Sequence, residues 1–293
     1  MAWSIIAYCK LFFLYSYHET GRNSTEFCMP RLSFIVTILA VILIHCIVAA
    51  KGRPAKEDRL NTAIYNAELP EKFAKKIDAA AARSPAFMAD LRTCLRGKKY
   101  LRELVDRQHP LPSDYVPNDL VMLEEGIYQL IRPEPLRQVA LESLNKMSAA
   151  ARKDGVTLAV SSAYRSYEYQ TKVYNRNVRE LGQKLADMES AQPGASQHQT
   201  GLVVDFYPVN ESFANTKAGQ WLVANASRFG WSLSFPKGHE DATGYKWESW
   251  HYRYVGLDIA RFIDNYFDGV QHYALRFLHE WEQWEASSPH GNQ

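Results

Sequence analysis

Cysteine is scarce in this chain, with four among 293 residues, Cys9, Cys28, Cys46 and Cys94. Three of them precede residue 50, so the remainder keeps only Cys94. One thiol makes neither a disulfide framework nor a paired-cysteine metal site. Any metal bound there has to be held by His, Asp or Glu, and Cys94 itself reads as an inert, packed thiol. An excess of one charge is also missing: 34 Lys and Arg face 32 Asp and Glu, a formal net charge of +2. No run of five like charges occurs, which leaves no basic footprint for nucleic acid. Internal repeats and low-complexity stretches are absent. What is plentiful is aromatic residues, 13% of the chain, gathered mostly after residue 160. A chain of this length can bury a sizeable core and is long enough for one large domain with an extension.

A single long uncharged run occurs, Leu32 to Ala50, flanked by Arg31 and Lys51. Its length is just enough to cross a bilayer, while Val48 and Ala50 occupy the small positions of a signal-peptidase site. It therefore reads either as a cleavable signal or as an uncleaved membrane tether. His45 argues against Cys46 as a lipid-anchored cysteine. Residues 1–28 are half-apolar but interrupted by Lys10, His18 and Glu19, whereas a start at Met29 gives a compact signal with Arg31 as its basic end. The first 28 residues are thus expected to be an over-extended reading frame. The rest is expected to be exported, to the periplasm or cell envelope.

The chain divides into a targeting region at 1–50, a linker and helical extension at 51–100, a main domain at 101–268 and a C-terminal helix and tail at 269–293. From Leu60 to about Val105, apolar residues recur at three- and four-residue steps, a helical pattern. "HPLPSDYVPNDL" predicts an extended irregular segment. Pro135 is expected to open a helix with Leu136, Val139, Ala140, Leu144 and Met147 on one face, closed at Gly155. "VTLAVSSAY" alternates as a strand does, and Ser166 caps a predicted helix that runs to about Met188. "GLVVDFYPV", "WSLSF" and "WHYRYVG" predict strands, and "GQWLVANASRFG" a helix stopped by Gly230. The fold class is α+β, with a small antiparallel sheet flanked by helices and a helical extension in front.

Chemistry gathers in two stretches. "SQHQTGLVVDF" sets His198 in the loop before Gly201 and Asp205 at the far end of a short strand. Gly201 permits a bend that folds His198 back over Asp205. "WESWHYRYVG" adds His251, with Glu248 three residues earlier. Residues three apart on a regular strand face opposite ways, so Glu248 has to occupy the turn before that strand, which Gly244 supplies, to share a site with His251. Hydrolytic zinc sites take three His or carboxylate ligands and leave one position open, and His198, Asp205 and His251 form such a set. From the turn, Glu248 can take a proton from water and return it to a leaving amine. A single histidine in a strand is commonly a hydrogen-bonded core residue, and Asp205 could simply end its strand. The coincidence of both stretches, in a chain with few other histidines, favours the site.

"SAYRSYEYQ", "PGASQHQTGLVVDF" and "FPKGHEDATGYKWESWHYRYVG" resemble, in order and spacing, the motif blocks of the VanY-like zinc D-alanyl-D-alanine carboxypeptidases. "HPLPSDYVPNDLV" resembles that family's lead-in. The resemblance runs from about Leu104 to about Gly256 and leaves out residues 51–100 and the tail after Asp268. It places the family's SxHxxGxxxD pattern on Ser196, His198, Gly201 and Asp205, and its ExxH on Glu248 and His251. What it implies is one Zn2+ per chain held by His198, Asp205 and His251, in a cleft, with Glu248 as catalytic base and Arg165 steadying the polarised carbonyl oxygen. Ser196, Gln170 and Arg165 are the implied substrate contacts, while Tyr164 and Trp250 either wall the cleft or belong to the core.

The function implied is a zinc-dependent D,D-carboxypeptidase that removes the terminal D-alanine from peptidoglycan stem peptides. An L,D-carboxypeptidase acting on the tetrapeptide stem is the alternative, since the motifs do not separate the two. A non-catalytic zinc-containing wall-binding module is the alternative of another class, and Glu248 speaks against it.

Overall fold

The computed structural model describes residues 56–287. The uncharged run 32–50, the small residues Val48 and Ala50 and the alternative start at Met29 lie outside the described residues. Among the described residues no helix is long and apolar enough to cross a membrane.

Among the described residues three helices come first, α1 (Lys56–Asn66), α2 (Glu71–Arg83) and α3 (Pro85–Arg96). Ser84 caps α3 by accepting a bond from the Ala86 amide at 3.1 Å, and Pro85 fits the first turn, where its missing N–H costs nothing. The helical pattern expected to continue to Val105 stops at Arg96, where the backbone turns extended at Gly97. A short 3-10 turn, Lys99–Leu101, and an irregular proline-rich segment follow.

Strands β1 (Leu120–Met122), β2 (Gln129–Leu130) and β3 (Pro135–Arg137) precede helix α4 (Gln138–Lys153). Pro135 does not open the helix as expected. It and Leu136 lie in β3, paired antiparallel with β1, because the Arg137 amide donates to the Gly201 carbonyl at 2.9 Å and fixes that backbone as extended. Ala140, Leu144 and Met147 do form the buried face of α4.

Next come β4 (Ala159–Ser162), α5 (Tyr167–Leu181) and α6 (Gln183–Glu189). Ser166 caps α5 as expected, accepting from the Tyr169 amide at 3.2 Å. The helix expected to reach Met188 is broken into two at Gly182, whose φ of 78° lies outside the helical range. Apart from 3-10 turns and a one-turn helix, Glu240–Thr243, the remaining elements are β5 (Val203–Phe206), α7 (Lys217–Asn225), β6 (Trp231–Leu233), β7 (His251–Tyr254), α8 (Leu257–Phe267) and α9 (Gln271–Ser287).

The main sheet has the order β2-β4-β5-β7-β6 and is antiparallel except for the edge pairing of β2 with β4. Two apolar clusters hold the molecule together. One lies between the sheet and α4, with Leu144, Val204, Phe206 and Trp231 fully buried. The other joins α1–α3 to α8 and α9 through Phe73, Ile77, Phe87, Phe262, Phe267 and Phe277. The two ends of that helical layer also clasp directly. The Arg59 guanidinium lies 3.9 Å from the Trp281 ring centroid, donates to the Trp281 carbonyl at 3.2 Å and pairs with Glu285 at 2.5 Å.

Candidate active site

Strand register assembles the first two candidate side chains. Asp205 on β5 sits directly opposite His251 on β7, and residues facing each other across an antiparallel pair project to the same side. Ser162 of β4 flanks Asp205 on its other edge. The third side chain arrives from a loop. His198 lies in a 3-10 turn, Gln197–Thr200, that Gly201 ends in the left-handed region with φ 69°. A Cβ at position 201 would come within 2.9 Å of both Arg137 and Leu120 side-chain carbons, so both conformation and space demand glycine there.

His198, Asp205 and His251 are all buried, and one ligand atom from each lies within 4.8 Å of the others. The Asp205 carboxylate meets His198 Nε2 at 3.1 Å with Oδ2 and His251 Nδ1 at 3.0 Å with Oδ1. The other ring nitrogen of His198, Nδ1, is 2.6 Å from the Ala163 carbonyl. That bond fixes Nδ1 as the protonated nitrogen and leaves Nε2 bare toward Asp205, the arrangement typical of a metal-binding histidine. Glu248 stands in the turn ahead of β7, with its Oε2 3.3 Å from His251 Nδ1, so the placement argued from the strand period is the one observed. Its amide donates to the Phe235 carbonyl at 3.1 Å, and the Phe235 ring packs 4.8 Å from the His251 ring.

The electrostatics suit a cation. Burial pushes His198 down to about 4, against the pull of Asp205, so its imidazole is neutral and free to act as a ligand near neutral pH. Burial works against a charge on His251 too, yet the bonds to Asp205 and Glu248 outweigh it and push its pKa up to about 9. Burial likewise opposes ionisation of Asp205, but the two histidines hold it well below the usual carboxylate range. Glu248 is raised, chiefly by burial. One positive charge, here a proton on His251, is thus stabilised where the three ligand atoms converge, and a metal ion displaces such a proton when it binds. Two imidazoles and a carboxylate, with no sulfur, are the donors of hydrolytic zinc sites.

Opposite this cluster, Arg165 reaches to 3.8 Å from Asp205 Oδ2. Its guanidinium donates to Gln170 Oε1 at 2.8 Å and to Ser162 Oγ at 3.3 Å. Gln170 in turn donates to the Ala191 carbonyl at 2.5 Å and the Ser190 hydroxyl at 3.4 Å. A cavity of about 200 Å³ opens between these groups, and Ser196 and Trp250 both line it. Tyr164 is not part of that lining.

The model of the family "VanY: D-alanyl-D-alanine carboxypeptidase" matches residues 133–257. Over 170 residues, 55% of its length, the chain is 38% identical to YodJ of Bacillus subtilis (strain 168), a candidate carboxypeptidase, and over 166 residues, 54% of its length, it is 36% identical to a D-alanyl-D-alanine carboxypeptidase of Enterococcus faecalis (strain ATCC 700802 / V583). Among solved structures, it resembles the LdcB LD-carboxypeptidase, whose structure was reported to reveal the molecular basis of peptidoglycan recognition. That likeness has a TM-score of 0.52 and 37% identity, and covers 57% of this chain and 85% of that one. The chain belongs to the VanY family. It spans 62% and 59% of the length of the two sequence relatives.

The VanY match ends at residue 257 and begins at 133, so α1–α3 and nearly all of the last two helices lie outside it. Several residues that shape the cavity within it were given no role in the sequence reading. Phe235 and Tyr245 line the cavity with rings 5.0 Å apart, and Asn177 and Glu189 come from α5 and α6. Tyr245 follows Gly244, whose φ of 76° lies in the left-handed region. Beneath the 3-10 turn, Ser234 donates to Gln197 Oε1 at 2.7 Å, a buried contact joining segments 37 residues apart.

Proposed function

We propose that this chain is a zinc-dependent D,D-carboxypeptidase that removes the terminal D-alanine from peptidoglycan stem peptides. The observation that carries this reading is the pairing, across one small cavity, of a His198–Asp205–His251 cluster and its neighbour Glu248 with the anchored guanidinium of Arg165. Bound by those three ligands, zinc would lower the pKa of water and polarise a carbonyl.

The chain's own residues do the rest. Glu248 accepts the proton of the attacking water and passes it to the departing amine nitrogen, and its raised pKa favours a carboxyl that both takes and gives. Arg165 faces the carbonyl oxygen as charge develops there, and its fixed hydrogen bonds mean that little reorganisation is needed when it does. Gln170 spends its amide on Arg165 and on the 190–191 backbone and side chain, so its part is to aim the guanidinium. Ser196 lines the cavity and is the contact this reading assigns to the terminal carboxylate. The cavity volume of about 200 Å³ is small beside the roughly 300–1,000 Å³ of drug-sized sites, and it favours a small terminal residue. Residues 101–268 are the catalytic part of this reading. Export to the cell envelope, through residues 32–50 as signal or tether, follows from a substrate that lies outside the cytoplasm.

The L,D-carboxypeptidase reading is kept because the LdcB relative is named for that activity. Incubating the purified chain with penta- and tetrapeptide stems, with and without a chelator, separates the two. The expected result is chelator-sensitive loss of D-alanine from the pentapeptide, identified by mass. Release from the tetrapeptide alone supports the L,D reading, and no release from either stem removes both. A stem amidated at its C-terminus is expected to be a poor substrate, because a buried carboxylate partner is left unpaired. Efficient cleavage of that amide would point to an endopeptidase.

A further inference from the structure

Arg107 belongs to none of the motifs and lies outside the residues matched by the family model. Its backbone is fixed at the tip of a tight turn in which Asp106 Oδ1 accepts from the Gln108 amide at 2.8 Å and the His109 amide at 2.9 Å. From there one guanidinium nitrogen, Nη2, donates to two carbonyls of separate chain segments, Asp187 near the end of α6 and Gly244 at 3.0 Å. The guanidinium carbon also lies 4.9 Å from the centroid of the Tyr245 ring. The same two segments are bonded directly to each other. The Lys246 amide donates to the Met188 carbonyl at 3.1 Å, and the Lys246 ammonium pairs with Glu189.

Each segment leads within a few residues to one half of the chemistry. Beyond Asp187 the chain reaches Ser190 and Ala191, which hold Gln170, which holds Arg165. Beyond Gly244 and Tyr245 it reaches Glu248. Resting on the reading of the site given above, we propose that Arg107 is a positioning residue: by tying the Asp187 carbonyl to the Gly244 carbonyl it sets the distance across the cavity between Glu248 and Arg165. Reaction depends steeply on such spacing, since a displacement of about 1 Å can cost about a hundredfold in rate. Arg107 is solvent-exposed, so its replacement leaves both apolar clusters intact.

The test compares Arg107→Ala and Arg107→Lys with the parent, as full chains loaded with zinc. Arg107→Ala is expected to lower kcat by about tenfold to a hundredfold, with KM nearly unchanged and zinc still stoichiometric. Arg107→Lys is expected to recover part of that loss, because an ammonium keeps the charge but not the planar fork. Independently of activity, amide hydrogen exchange at Lys246 is expected to speed up in Arg107→Ala as the strap loosens. A parental kcat overturns the proposal, as does an unchanged exchange rate or a lowered melting temperature with kcat intact. Glu248→Gln run in parallel separates the two levels. If it keeps full turnover, the reading of the site fails and the positioning role with it. If it is inactive while Arg107→Ala matches the parent, the positioning role alone is wrong.

Discussion

The helical layer and the site-bearing face of the sheet are both buried, but they fill their interiors with opposite chemistry. Between α3, α8 and α9 the interior is a ring cluster: Phe87 packs against Phe262, Tyr266 and Phe277 with centroids 4.9 to 6.2 Å apart. Such contacts need no hydrogen-bond partners and stabilise in proportion to the apolar area removed from water. On the sheet face, His198, Asp205, His251, Gln170, Gln197 and Gln199 are buried together. Burying polar groups costs free energy wherever a partner is missing, and His251 Nε2 and Gln199 Oε1 have none among the described residues. The comparison teaches where the molecule stores stability and where it spends it. The helices supply the surplus that lets the sheet face hold a converging set of charges.

Breaking the two regions separately tests that division. The largest effect is expected at the polar face. His198→Ala, Asp205→Ala or His251→Ala removes one of the three proposed ligands and is expected to abolish zinc retention and activity together, measured by metal analysis and turnover. Glu248→Gln keeps the shape and is expected to retain the metal while turnover falls by about a hundredfold or more. On the apolar side, Phe87→Ala is expected to cost about 3–5 kcal/mol of unfolding free energy in denaturant titration. Its kcat per folded molecule should remain at the parental value. A matching loss of kcat would mean that the two regions are not separable.

A smaller effect concerns pH. His272, at the start of α9, is pushed down to about 4, mainly by burial, with Asp106 opposing and Arg276 and His109 assisting. Its folded pKa lies below the unfolded value of about 6.5. The unfolded chain therefore binds more protons between those values, and stability is lost as pH falls from about 6.5 to 4. His272→Gln should flatten that decline by up to about 1.4 kcal/mol per pH unit, read from denaturation midpoints across the interval. Asp106, whose pKa is lowered by His109 against the effect of burial, adds a decline of the same sign at lower pH. The smallest effect is at Cys94, whose buried thiol is pushed up to about 12. At pH 8 it should react with an alkylating reagent only slowly in the folded protein and readily in denaturant. Rapid native labelling would show that the layer opens locally.

Much of this was legible along the chain, and the limits have a physical origin. The spacing of His198, Gly201 and Asp205 and that of Glu248 and His251 are local patterns, and strand period alone required Glu248 to precede its strand. Ser166 declared itself as a cap by residue type. Pro135 misled because the apolar spacing of α4 continues backward through Leu136, while the bond that makes this stretch a strand comes from Gly201, far along the chain. The break at Gly182 was within reach, since glycine is the residue that tolerates a positive φ. Nothing local marks Phe235 against His251, or Arg107 against Gly244. Those contacts join segments 16 and 137 residues apart, and one sequence does not display them.

The clasp between Arg59 and the Trp281–Glu285 stretch has a bearing on how the protein is made. A ribosome releases residues 56–96 well before residues 257–287, yet Phe73 and Phe87 find their ring partners only in the later segment. Closing a loop of that length costs little in final stability, since each doubling adds only about 0.6 kcal/mol, but contacts so distant in sequence slow folding. Helices α1–α3 are thus synthesised with their apolar faces uncovered. The layer closes only once α9 has emerged, and until then those faces stay open to other contacts.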